Sequence, residues 1–137
     1  MREIGLAAAI VPRFPGVNSA LGCVMSDLRH DEVRTLNRML DTLDCEALTA
    51  MIAEITASSE EVIKRSKASI DGLEAVIELD MLYLGQTHAV AVPLSVSHSG
   101  ITTEAIRAAF DASYRRTYGR LLENIPVRVL NLSLIHI

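Results

Sequence analysis

The tightest constraint on this chain is the alternation in LEAVIELDMLYLGQTHAVAVPL, residues 73–94. Leu73, Ala75, Ile77, Leu79, Met81 and Tyr83 fall on one face and Glu74, Glu78 and Asp80 on the other, the period-two pattern of a half-buried strand. Gly85-Gln86 interrupts it where a glycine can supply the positive φ of a tight hairpin turn, and His88-Ala89-Val90-Ala91-Val92 resumes it. Pro93 has no amide proton to give a ladder and should mark the strand's end. The stretch holds no nucleophile beside a base, no metal-ligand spacing and no phosphate loop. It therefore specifies a fold and not a chemistry.

Two helices are expected to cover this hairpin. Residues 41–67 carry Leu48, Met51, Ile52, Ile55, Val62 and Ile63 at helical spacing, with Asp44 as the expected N-cap. Acidic residues at the front and Lys64, Arg65 and Lys67 at the back suit the helix dipole. Ser58 and Glu61 have capping-box spacing, so a break and restart there is an open alternative. This helix should pack across the hairpin through Leu48, Met51, Ile52 and Ile55. Residues 101–120 form the second helix, capped by Thr102 or Thr103 and stopped by Gly119, with Ile106, Ala109, Phe110, Ser113, Thr117 and Tyr118 on one side. Residues 125–131 alternate again and read as a last strand added to the hairpin's sheet.

Ahead of this unit, residues 4–12 read as a short buried strand closed by Pro12. A turn at 14–17 then leads into a helix that runs to about Asp27, capped by Asn18 or Ser19. Residues 28–39 are charged and alternate, as an exposed or edge strand would. His30-Asp31 invites a catalytic reading, but neighbours on a strand point to opposite faces, so a solvated pair is expected. His98 lies in a Ser/Gly loop and is read as exposed.

The chain's 137 residues, half of them hydrophobic, suffice for one domain with a real core. A net charge of −4 with scattered Lys and Arg argues against a nucleic-acid surface. Cys23 and Cys45 show no CxxC spacing and read as buried thiols in a reducing, cytoplasmic setting. The apolar run at residues 5–11 is far short of the roughly 20 residues that span a bilayer, so no membrane partner is expected. The ending Leu132-Ser133-Leu134-Ile135-His136-Ile137 is also the translation of CTGTCTCTTATACACATC, a transposon-derived sequencing adapter. The tail from about Leu132 is expected to be such a translation, with a genuine terminal strand as the alternative.

Four separated motifs, in order, resemble the hydantoinase A/5-oxoprolinase family. They are IVPRFPGVNSALGCVMSDLRHDEVRT from Ile10, DMLYLGQTHAVAVPL from Asp80, FDASYRRTYGR from Phe110 and IPVRVLNL from Ile125. Two departures stand out: Leu82 and Ser133 occupy positions where the family pattern has arginine.

The resemblance implies a longer parent and an α+β fold for this part of it. A β-hairpin-centred sheet packed by two helices would follow the last strand and helix of an actin-like ATPase domain. Residues 1–27 would be the tail of that ATPase domain, 28–131 an incomplete C-terminal domain and 132–137 the adapter translation. The implied activity is ATP-dependent opening of a cyclic amide, a hydantoin or 5-oxoproline, with ATP going to ADP and phosphate. ATP-dependent ketone carboxylation is the alternative within the family, and a non-catalytic α/β interaction module the alternative outside it. ATP and Mg are implied for the parent and neither for this chain alone, and a second subunit or fused domain is the implied partner. Gly16, Asn18, Ser19 and Gly22 would sit beside the nucleotide site. Asp80, Tyr83 and Gln86, at or near the hairpin tip, are the substrate-near candidates. The catalytic residues are not assigned, and no metal-ligand set is expected. Residues 4–27, short of their neighbours, should dock loosely.

Overall fold

The computed structural model describes residues 8–26, 29–66, 72–95 and 101–136. Residues 4–7 of the expected first strand, Asp27 at the expected end of the first helix, Lys67, and the loop residues 96–100 with His98 lie outside the described residues.

Alternation builds the strands and helical spacing the helices, as the pattern requires. In chain order they are α1 (Asn18–Met25), β1 (His30–Met39), α2 (Cys45–Arg65), β2 (Ala75–Tyr83), β3 (Val90–Leu94), α3 (Thr103–Tyr118) and β4 (Val127–His136). The four strands form one antiparallel sheet in the order β1-β4-β2-β3. The architecture is α+β, with β4, the last strand in sequence, paired on both sides.

One face of the sheet is apolar. Ile77, Leu79, Met81 and Tyr83 of β2, Val90 and Val92 of β3, and Val127, Val129, Leu132 and Leu134 of β4 join Leu48, Ile52 and Ile55 of α2 and Ile106, Phe110 and Tyr114 of α3 in a single core. The expected faces of β2 are the observed ones, except that Leu82, on the polar side, is also buried. In β4, Leu130 is an extra residue: Asp80 and Met81 pair with Asn131 and Val129. This bulge resets the alternation, so that Leu132, Leu134 and His136 also face inward.

Local chemistry sets the helix ends. Asp44 caps α2, its carboxylate accepting from Glu46 N and Ala47 N, each at 3.0 Å. Thr102 caps α3, and Gly119 closes it at φ 73°, a left-handed position that suits glycine. No break occurs at Ser58. Ser59 is buried and donates to Glu32 Oε2 of β1 at 2.9 Å, so the serine that weakens helix propensity is satisfied by a partner outside the helix.

Several expectations need correction. The hairpin connection is a six-residue loop, 84–89, and the second strand begins at Val90, so His88 and Ala89 lie outside the ladder. Pro93 sits opposite Glu78 one residue before the end of β3, tolerated because β3 is an edge strand. Helix α2 lies over β1 and β4, and α3 covers β3; the α2 stripe therefore does not centre on the hairpin. Val62 and Tyr118 are exposed, and Tyr114 takes the buried place on α3.

Residues 8–12 form no strand. The backbone enters α1 through a 3-10 turn, Pro15–Val17. Val17, not Asn18 or Ser19, holds the N-cap position, without a side-chain cap bond. Cys23 is exposed rather than buried, and Cys45 is half-buried. Among the described residues, no helix is long and apolar enough to cross a membrane.

Candidate functional site

The end of β2, the loop after it and the last turns of α3 make a polar site among the described residues. Phe110, Tyr114 and Tyr118 repeat every fourth residue, which places them on one stripe of α3. Tyr83, at the end of β2, inserts beside that stripe. Its ring meets Phe110 edge-on at 5.0 Å and Tyr114 edge-on at 4.8 Å, and Tyr114 in turn lies 4.6 Å from Tyr118. The aromatic row runs from the fully buried Tyr83 to Tyr118, which is 46% exposed.

Gly85 turns the chain back over this row. Its φ of 93° is accessible to glycine at little cost, and Gln86 N then bonds to Tyr83 O at 3.0 Å. This brings the Gln86 amide against the helix, where Nε2 donates to Tyr114 Oη at 2.7 Å. Gln86 Oε1 is buried and has no protein partner, and neither has Tyr83 Oη. Buried polar atoms without partners are uncommon in folded proteins. Beside Gln86 opens a cavity of about 530 Å³, whose lining includes Gly85, Gln86, His88, Tyr114, Tyr118 and Arg120. Arg120 makes no ion pair among the described residues. The cavity thus offers an aromatic wall, amide and phenol hydrogen-bonding groups, and a guanidinium and an imidazole at its lining.

Of the three residues expected near the hairpin tip, the structure places Tyr83 and Gln86 side by side and Asp80 elsewhere. Asp80 points to the opposite face of the sheet, where Asn131 Nδ2 donates to Asp80 Oδ2 at 3.0 Å and Thr35 Oγ1 to Asn131 Oδ1 at 3.3 Å. That row ties β1, β4 and β2 together. Gly16, Asn18, Ser19 and Gly22 are all exposed, and none makes a side-chain hydrogen bond among the described residues. A Cβ at Gly16 or Gly22 would meet nothing within 4 Å. The expected place of these four residues beside a nucleotide site concerns the longer protein, and within this chain the four face open space. Among the described residues no group of three His, Cys, Asp or Glu side chains could hold a metal.

In the His30-Asp31 pair the carboxylate is engaged by Arg29. Asp31 accepts from Arg29 Nε at 2.7 Å, and that bond holds its carboxyl below the usual carboxylate range. Sequence reasoning missed Tyr114, His88 and Arg120 as site residues. The four-residue repeat of aromatic residues in FDASYRRTY would have found Tyr114; nothing local marks the other two.

No family model matches the chain. It is 27% identical over 135 residues to the caprolactamase alpha subunit of Pseudomonas jessenii, covering 96% of this chain and 19% of that protein. It is 28% identical over 125 residues to the acetone carboxylase beta subunit of Xanthobacter autotrophicus, covering 84% of this chain and 17% of that one. Its fold superposes on the crystal structure of the ATP-dependent caprolactamase from Pseudomonas jessenii with a TM-score of 0.70, at 27% identity over 85% of this chain and 18% of that one. The nucleotide-free acetone carboxylase structure gives a TM-score of 0.73 at 24% identity over 92% of this chain and 19% of that one, a likeness of fold. The chain spans about a fifth of the length of these relatives.

Proposed function

Because the chain belongs to the hydantoinase A/5-oxoprolinase family, we propose that it is part of an ATP-dependent enzyme that opens cyclic amides. The supporting observation is the match to a caprolactamase subunit along nearly the whole chain, in sequence and in fold. An amide carbonyl is a poor electrophile, and coupling to ATP, by phosphorylation of the carbonyl oxygen, would make ring opening feasible. The proposal covers the class of cyclic amides, to which caprolactam, hydantoins and 5-oxoproline all belong.

In this reading residues 1–27 end an actin-like ATPase domain and 28–131 begin a C-terminal α+β domain. ATP and Mg bind elsewhere in the longer protein, and a second subunit or fused domain completes the enzyme, which works in the cytoplasm. Both relatives are subunits by name, which supports the partner. Residues 132–137 belong to the same proposal as an adapter translation standing in for the native end of β4. A segment alternating Leu, Ser, Leu, Ile, His fits a strand whatever its origin. Reading the coding DNA beyond Asn131 tests this, and a genomic sequence unrelated to the adapter would end it.

The match to an acetone carboxylase subunit favours ketone carboxylation as the second reading. The test is to express the full-length gene with its partner and follow ADP release. Release that depends on a lactam, hydantoin or 5-oxoproline, with the ring-opened acid as product, is the expected result. Release that depends on a ketone and bicarbonate would replace amide opening by carboxylation. Release with neither would leave the non-catalytic module.

A further inference from the structure

The geometry points to the cavity between the 84–89 loop and α3 as a binding site for the cis-amide edge of a small cyclic amide. The Gln86 side chain is the centre of the argument. One atom of its amide is committed to Tyr114 Oη at 2.7 Å, and the other is buried without a protein partner. With Nε2 donating to Tyr114, the Tyr114 hydroxyl proton is left to donate to a carbonyl, while Gln86 Oε1 waits for an N–H donor. If the amide is turned over, Tyr114 donates to Oε1. Nε2 then offers the donor and Tyr114 Oη the acceptor. Either orientation leaves one donor and one acceptor side by side, which is what a lactam's adjacent C=O and N–H require.

The surroundings fit such a ligand. Tyr118 and Tyr114, their rings 4.6 Å apart and inclined at 41°, provide an aromatic wall against which the ring can pack. A cavity of about 530 Å³ holds a small ring with room to spare, which suits a substituted lactam. The loop lies outside the ladder, and the backbone bonds Gln86 N to Tyr83 O and Leu84 N to Pro126 O anchor only its start. An acyclic trans amide presents C=O and N–H on opposite sides and cannot meet both groups together.

This inference rests on the cyclic-amide reading for its choice of probes, and its test separates the two. The complete 137-residue chain is titrated with ε-caprolactam, N-methylcaprolactam and ε-caprolactone and followed by amide and side-chain NMR. Saturable shifts at Gly85, Gln86, His88 and Tyr114 with ε-caprolactam are expected. N-methylcaprolactam and the lactone lack the donor and should bind about tenfold more weakly, the loss of one hydrogen bond. Gln86→Leu and Tyr114→Phe should each weaken ε-caprolactam binding by about the same factor. Gln86 is only half-buried, so its variant is expected to fold. Absence of shifts at these residues, or equal binding of the three ligands, overturns the site. In the full-length enzyme, an unchanged KM for Gln86→Leu with amide-dependent ADP release intact overturns the site and leaves the proposed activity standing. Selective lactam binding here without such ADP release keeps the site and removes the proposed activity.

Discussion

Residues 8–26 and 73–94 are both rich in large apolar side chains, and their fates are opposite. In the first, Ile10 is 92% exposed, Val24 84% and Met25 74%, and no residue is buried. In the second, Leu79, Met81, Tyr83 and Val92 are fully buried. Hydrophobicity alone therefore does not bury a segment. The hairpin alternates in step with a sheet that β4 and α3 complete, whereas α1 is eight residues long and buries none of them. Burying each such side chain is worth about 1.5–3 kcal/mol, so segment 8–26 forgoes a sum comparable to a domain's whole margin of roughly 5–15 kcal/mol.

The comparison breaks most sharply by truncation. Deleting residues 132–137 removes buried Leu132, Leu134 and His136, together with the β4 pairing to His30–Arg34 and Ala75–Leu79. Loss of cooperative unfolding is the expected result in a denaturant titration followed by circular dichroism. Deleting residues 1–26 should leave that transition in place. Hydrogen exchange reads the same contrast without changing the sequence: the amides of β2 should be protected near the global limit, and those of 8–26 hardly at all. Comparable protection of both segments would mean that α1 has a partner the comparison overlooks.

Next in size come single side chains. Ile52→Ala, at a site only 5% exposed, should cost roughly 2–5 kcal/mol, and Val24→Ala within about 0.5 kcal/mol of nothing. A urea midpoint for Ile52→Ala that matches the parent would show that the α2 stripe is not core.

Tyr83→Phe sharpens the account of the site. Its hydroxyl is buried and unpartnered, and such a group costs about 1–3 kcal/mol. The variant should be as stable as the parent or more so by up to that amount. A clear loss of stability would reveal a partner for the hydroxyl, most simply an ordered water.

The smallest effect is at the surface. Because the Arg29 hydrogen bond lowers the Asp31 pKa in the folded chain, it favours folding above the unfolded-state pKa, and this contribution disappears as pH falls through the folded value. Arg29→Gln should move the Asp31 carboxyl midpoint upward in an NMR titration, with no measurable change in stability, since the pair is solvent-exposed. An unchanged midpoint would show that the pair does not persist in solution.

What the sequence by itself determined about this protein is what neighbours within a few residues decide. The Asp44 and Thr102 caps and the Gly119 stop rest on contacts between residues at most four positions apart, and the alternation of Ile77, Leu79, Met81 and Tyr83 on the two-residue repeat of an extended chain. Such contacts follow from helix and strand geometry alone. The family motifs added the fold class but not the strand order. Only the tertiary structure decided that β4 pairs between β1 and β2, that α2 lies over β1 and β4, and that Glu32 satisfies Ser59 across 27 residues. The candidate site divides the same way. Tyr83 and Gln86 were legible from the hairpin, while Tyr114, 28 residues beyond Gln86, joined them through a side-chain bond. Asp80 lies outside the site by the strand parity already legible in the alternation, and the tertiary structure added only its partner on that face, Asn131. Period and capping report on one element at a time. Which elements meet depends on how their apolar faces close on one another, and that is a property of the whole chain.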